Sequence, residues 1–170
     1  MHYFSSHVLQ RRVRLALAAL PLAFLLNACG DSYRYMTSGE VGWALKNELR
    51  DNRATQVDIA RLTDFEWDEF ILAGPYEPAE DICKRLRIAT AECHKVITTE
   101  SIDDGEMVML FRHKGKVVHI EKHFRFHGDF TPIPDETFTP KTAVFNVSVD
   151  GKSASGQSWL KLAAAKVPNK

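Results

Sequence analysis

The stretch Lys116 to Phe126, KVVHIEKHFRF, constrains the fold more than any other part of the chain. Val118, Ile120, Phe124 and Phe126 fall on one parity, and His119, Glu121, His123, Arg125 and His127 on the other. A period of two is that of a pleated strand, whose successive side chains point to opposite faces. One apolar face and one polar face predict an antiparallel sheet that is packed on one side and wet on the other. The run Glu106 to Phe111 supplies a partner arm, and His113-Lys114-Gly115 between the two supplies a hairpin turn.

Other segments assemble around this hairpin. Thr37-Ser38-Gly39-Glu40 has the T-x-x-E pattern of a capping box. Val41, Leu45 and Leu49 follow at i, i+4 and i+8 with Ala44 beside them, which predicts a helix over 38–51. Val57 to Leu62 reads as a strand. Asp64 to Tyr76, DFEWDEFILAGPY, reads as a strand that begins half exposed and ends buried on both sides. In that reading Phe65 and Trp67 share one face, Phe70 and Leu72 share the other, and Gly74-Pro75 stops the strand.

Pro78 to Leu86 predicts a short helix with acids in its first turn, Lys84 and Arg85 near its end, and Ile82 and Leu86 facing inward. Thr131 to Pro140 carries three prolines and reads as a loop. Val144 to Val149 is a further strand closed by Asp150-Gly151, residues 153 to 158 are a loop, and Trp159 to Val167 fits either a strand or a helix. The sum is a single small α+β domain, a meandering antiparallel sheet of four to six strands with two helices on one face.

The first thirty residues belong to something else. Residues 1 to 14 contain Arg11, Arg12 and Arg14 and no acid, and Leu15 to Leu26 read LALAALPLAFLL. A basic segment followed by an apolar one of this length is a secretory signal. Twelve helical residues reach about 18 Å, short of the roughly 30 Å hydrocarbon core, so a permanent membrane-spanning helix is not expected. Leu26-Asn27-Ala28-Cys29 then resembles the lipobox of bacterial lipoproteins, a resemblance that covers the leader alone.

It implies removal of residues 1–28 as a lipoprotein signal peptide and a diacylglyceryl thioether on Cys29, usually with an N-acyl chain. Two or more acyl chains give stable attachment to a membrane. Residues 29–36 become a lipidated tether and 37–170 an extracytoplasmic domain. Gly30, rather than Asp, after the cysteine implies the outer membrane facing the periplasm in a two-membrane cell, and the cell membrane in a host with one.

The chain balances 22 Lys+Arg against 22 Asp+Glu, and the leader holds three of the arginines and no acid, so the remainder carries a net charge of about −3. No nucleic-acid partner is expected of it. Cys83 and Cys93, an even pair outside the cytoplasm, predict a disulfide.

Two constellations could carry function. Trp67 to Tyr76 has the pattern W-D-x-F-x-x-x-G-P-Y, similar to a segment of small uncharacterised bacterial secreted proteins and lipoproteins, and the resemblance implies no activity. Trp67 and Tyr76 are amphipathic anchors whose N–H and O–H need partners, so Trp67, Asp68 and Tyr76 are a candidate ligand groove against the plainer reading of a core strand and turn. His119, Glu121 and His123 stand two apart, about 6.6–6.8 Å along one strand face. Two imidazoles and a carboxylate at that spacing can share a Zn²⁺ or Cu²⁺ with His113 from the facing arm, against the plainer reading of a solvated face.

Ser158-Trp159-Leu160-Lys161 matches S-x-x-K without the other elements that chemistry requires. Gly151-Lys152-Ser153 lacks the upstream glycine of a phosphate-binding loop, since position 146 is Asn. The expectation is a lipid-anchored envelope protein with no catalytic residues and no cofactor, binding or bracing another envelope protein. The alternatives are a Zn or Cu binder on the His-rich strand and, by analogy of fold alone, an inhibitor or immunity-type protein.

Overall fold

The computed structural model describes residues 38–166; the leader, Cys29, the tether and Thr37 of the expected capping box lie outside the described residues. Helix α1 (Glu40–Arg50) leads into strand β1 (Gln56–Asp58), a 3-10 turn (Ile59–Arg61) and strand β2 (Glu69–Ala73). Helices α2 (Ala79–Leu86) and α3 (Thr90–Val96) follow, then the hairpin of β3 (Glu106–His113) and β4 (Lys116–Phe124). A second 3-10 turn (Arg125–His127) and the hairpin of β5 (Val144–Lys152) and β6 (Ser158–Ala164) complete the order. The class is α+β. The strands divide into two antiparallel sheets of three, β1-β5-β6 and β2-β3-β4, rather than one meander.

The division begins at Asp58, whose carboxylate accepts the Ala60 N–H at 3.0 Å and opens the 3-10 turn. The strand expected to run to Leu62 therefore ends early, and β1 pairs with β5, Val57 opposite Phe145. Residues 158–164, ambiguous in sequence, form a strand because β5 offers them a ladder.

The β2-β3 pair of the second sheet is apolar on both faces. Phe70, Leu72, Met107, Met109 and Phe111 meet Val41, Leu45 and Leu49 of α1 and Phe145 and Leu162 of the other sheet. Ile71, Ala73, Val108 and Leu110 meet Ile82, Cys83 and Leu86 of α2 and Cys93 of α3. The two helices expected on one face are thus shared between opposite faces, which explains why EFILA and EMVMLF are continuous apolar runs. Helix α3 has no counterpart in the sequence reading. It is seven residues long with Cys93 its buried side chain, too little for a periodic signal, and the Cys83–Cys93 disulfide fixes it to α2 across 5.8 Å between Cα atoms.

At the β3–β4 turn Lys114 (φ 51°) and Gly115 (φ 77°) are both left-handed, as a tight two-residue hairpin requires. Register slips between Phe111, opposite His119, and Arg112, opposite Val117, so Val118 is extra and bulges outward. On the outer side of β2, Phe70 and Phe138 exchange backbone hydrogen bonds of 2.7 and 2.8 Å, drawing in the proline-rich loop. On the outer side of β4, Gly39 N–H donates to Lys122 O at 2.8 Å. Among the described residues no helix is long and apolar enough to cross a membrane.

Candidate functional site

His119, Glu121 and His123 alternate along β4 as expected, but their shared face is turned against the first turn of α1, not to water. Glu121 is 6 % exposed and His123 fully buried. Patterning cannot register the cause. A helix begins with unpaired N–H groups, and the cap of α1, Gly39, offers no side chain to them. Glu121 reaches across instead: Oε1 accepts Gly42 N–H at 2.7 Å and Oε2 accepts Val41 N–H at 3.1 Å. The same Oε2 takes His119 Nε2 at 2.8 Å, and the His119 ring stacks on Phe65 at 4.7 Å. The carboxylate also meets the positive end of the helix dipole. Two glycines allow the approach. A Cβ on Gly39 would collide with the Glu121 carboxyl, and one on Gly42 would lie 2.6 Å from His123 Nδ1.

Next along the strand, His123 Nε2 donates to Gly128 O at 2.6 Å, which fixes the tautomer and leaves Nδ1 buried without a hydrogen bond. Burial holds its pKa below the ordinary value, against the opposing pull of Gly128 O, Glu121 and Asp129. Ser38 Oγ accepts Phe124 N–H at 2.8 Å and so donates its own proton to His127 Nδ1 at 2.9 Å. Burial, then the charges of His123, Lys46 and Arg50, push His127 down to about 4. The cluster joins the start of α1 to the end of β4.

Among the described residues no three His, Cys, Asp or Glu side chains are grouped to hold a metal ion. Glu121 is engaged by the helix, and His113, the further ligand considered, lies at the hairpin end, 3.6 Å from Glu66 and 3.7 Å from Asp68. Trp67, Asp68 and Tyr76 are not brought together either. Trp67 is a core ring that donates to Thr63 Oγ1 at 2.9 Å and meets Phe111 edge-on at 5.4 Å. Asp68 Oδ2 accepts Lys114 N–H at 2.7 Å and steadies the hairpin turn. Tyr76 lies beyond the opposite end of β2, 59 % exposed. Phe65 and Trp67 join the same cluster as Phe70 and Leu72, not the opposite face, because strand parity starts only at Glu69.

A second polar centre escaped the sequence reading. Asp129 is 1 % exposed. It accepts Arg125 Nε at 3.1 Å, Trp159 Nε1 at 2.8 Å, Thr131 N–H at 3.0 Å and Thr131 Oγ1 at 2.8 Å. Burial alone would raise its pKa, yet these donors hold the carboxyl below the ordinary value. The one available signal was Trp159 and Lys161 at i and i+2, on one face if the segment is a strand. The same geometry separates Ser158 from Lys161, three apart and hence on opposite faces of β6.

Among the described residues, open grooves lie at two places on the surface. One, of about 530 Å³, lies along α2 and α3 beside the disulfide, lined by Glu80, Asp81, Lys84, Arg87 and Thr90. The other, of about 310 Å³, lies between α1 and β1, lined by Glu48, Gln56, Asp58 and Arg61. Neither includes Trp67, Asp68, Tyr76 or the β4 histidines. Compared with known protein families, curated proteins and solved structures, the chain finds no match.

Proposed function

We propose that the chain is a lipid-anchored protein of the bacterial envelope, whose folded domain binds or braces another envelope component rather than transforming a substrate. The observation that carries this reading is Cys29, set directly after a basic segment and an apolar one too short to span a bilayer. The Cys83–Cys93 disulfide supports it, since such bonds persist in oxidising compartments outside the cytoplasm. The binding role is supported by where the polar chemistry goes: Glu121 is bonded to α1, His123 to Gly128, and Asp129 to Arg125, Thr131 and Trp159. Gly30 favours the outer membrane of a two-membrane cell.

Mass spectrometry of the native N-terminal peptide tests the anchor. The expected product starts at Cys29 with a diacylglyceryl thioether, and Cys29→Ala keeps the leader and gains no lipid. An unmodified thiol at Cys29 would end the reading. Crosslinking in whole envelopes tests the binding role: a stable partner is expected, whereas robust turnover of an envelope substrate by the purified protein would replace it with an enzyme.

A further inference from the structure

Residues 38–42 lie along the outer border of β4 and are held there by polar contacts. Gly39 N–H donates to Lys122 O, and Phe124 N–H donates to Ser38 Oγ at 2.8 Å. Glu121 accepts the Val41 and Gly42 N–H groups. Val41 is the one buried apolar side chain of the segment, and α1 is next anchored in the core at Leu45. Polar contacts therefore carry most of what keeps residues 38–42 in place.

Two histidines beneath this segment fit it only when neutral. His123 is fully buried and its Nε2 is committed to Gly128 O, so a further proton must go to Nδ1. That atom has no hydrogen-bond partner and faces Gly42 in the first turn of α1, where a methyl would lie 2.6 Å away. A charged N–H there would meet the positive end of the helix dipole. The carboxylates that act on it, Glu121 and Asp129, are both occupied, the first by Val41, Gly42 and His119, the second by Arg125, Thr131 and Trp159. Their charges favour protonation, and burial outweighs them. The Phe130 ring packs on the imidazole at 5.7 Å.

His127 is 7 % exposed. Its Nδ1 accepts the Ser38 hydroxyl proton at 2.9 Å, because Ser38 Oγ is itself accepting from Phe124. Protonated, Nδ1 can no longer accept, and that bond is lost. α1 turns Lys46 and Arg50 towards the new charge, with the Trp43 ring 5.1 Å away, and β4 adds His123 and the Phe124 ring at 5.5 Å. Both imidazoles are neutral while residues 38–42 lie on β4 and free to take protons once the segment lifts, so acid favours lifting.

We propose that the contact of residues 38–42 with β4 is an acid-released latch, in which protons on His123 and His127 drive the segment off the strand while the rest of the domain stays folded. Release uncovers Lys122 O and the Phe124 N–H, and the outer border of β4 becomes an open strand edge. The rest stays because α1 keeps Leu45 and Leu49 in the core, and the cluster of Ile71, Ile82, Leu86 and Leu110 lies on the far face of the sheet.

Hydrogen exchange of the full chain, read by peptide mass spectrometry from about pH 7 to about pH 4 with labelling times matched to the intrinsic rate, tests the latch. Peptides spanning residues 38–42 and 121–125 are expected to lose protection by roughly tenfold or more between about pH 6.5 and 4.5. β3 and α2 are expected to keep theirs, and protection should return on neutralisation. His127→Asn, which still accepts from Ser38 and takes up no proton, should show a smaller acid response. The wild-type profile decides by itself: loss shared equally by β3 and α2 would be global unfolding, and loss beginning only below about pH 4 would belong to carboxylates, and either would overturn the latch. An acid response undiminished in His127→Asn would overturn it too. None of these outcomes depends on lipid at Cys29, so failure here leaves the anchor reading standing.

Discussion

Glu121, in the middle of β4, closes the first turn of α1 by accepting Gly42 N–H at 2.7 Å. A carboxylate 80 residues from Val41 does what a local cap does in most helices. Glu121→Ala would leave two buried N–H groups without acceptors, and His119 would lose its partner. Urea denaturation should show a loss of about 2–3 kcal/mol, with Glu121→Gln intermediate because an amide keeps one accepting oxygen. An unchanged midpoint in Glu121→Ala would show that water replaces the carboxylate without cost.

Gly42→Ala gives a prediction of opposite sign to the usual rule. In an exposed helix interior the change stabilises by roughly 0.5–1 kcal/mol, but here the new methyl would sit 2.6 Å from the fully buried His123 Nδ1. Overpacking costs typically about 1–3 kcal/mol, so thermal unfolding should come earlier. His123→Ala should relieve part of it, and the double-mutant cycle should show positive coupling between the sites. Simple additivity would mean that the two groups do not meet.

Acid should weaken the domain through its histidines before its carboxylates. His127 is held at about 4, against an ordinary 6.5, by burial and the neighbouring charges of His123, Lys46 and Arg50. A base whose folded pKa is depressed stays neutral in the fold while the unfolded chain takes up a proton. Stability is therefore complete above pH 6.5 and falls as pH drops towards 4, by up to roughly 3 kcal/mol in all. His123 adds to the slope in the same direction. His127→Asn, which can still accept from Ser38, should flatten the pH profile of the melting temperature between pH 6.5 and 4. An identical slope in that variant would assign the loss to other groups. Asp129 acts lower, its depressed carboxyl losing its contribution only as pH falls through a value below 3.8.

Cys83 and Cys93 close a short loop between α2 and α3. The chain-entropy argument gives about 2–3 kcal/mol for such a loop. The Cys83→Ala/Cys93→Ala protein should lose about that much stability in urea denaturation, and hydrogen exchange in Thr90–Val96 should rise more than in β3. Unchanged exchange in that helix would mean that packing of Ile97 and Val96 holds it without the bond.

Local pattern and tertiary pairing divide what was readable. The helices Glu40–Arg50 and Ala79–Leu86 and the β3–β4 hairpin were legible because their periodicity, acids and turn residues are local signals. Two separate sheets were not, since nothing near Val57 announces that its partner is Phe145. The parity of His119, Glu121 and His123 was readable, but its direction was not. Polar residues on one parity ordinarily face water, and here a helix N-terminus stood where water was expected. Asp129 was invisible for a related reason: Arg125, Thr131 and Trp159 converge on it from three segments, and its own neighbours Gly128 and Phe130 carry no trace of them.

The reciprocal bonds of Phe70 with Phe138, and that of Gly39 with Lys122, have a consequence for the chain in crowds. Each outer strand of the β2-β3-β4 sheet has a backbone plug partway along it, set by a neighbouring loop or by the chain's own approach to its first helix. A second molecule seeking to extend the ladder must first evict that plug, and so strand exchange between copies, the usual route from sheets to aggregates, is obstructed at both borders.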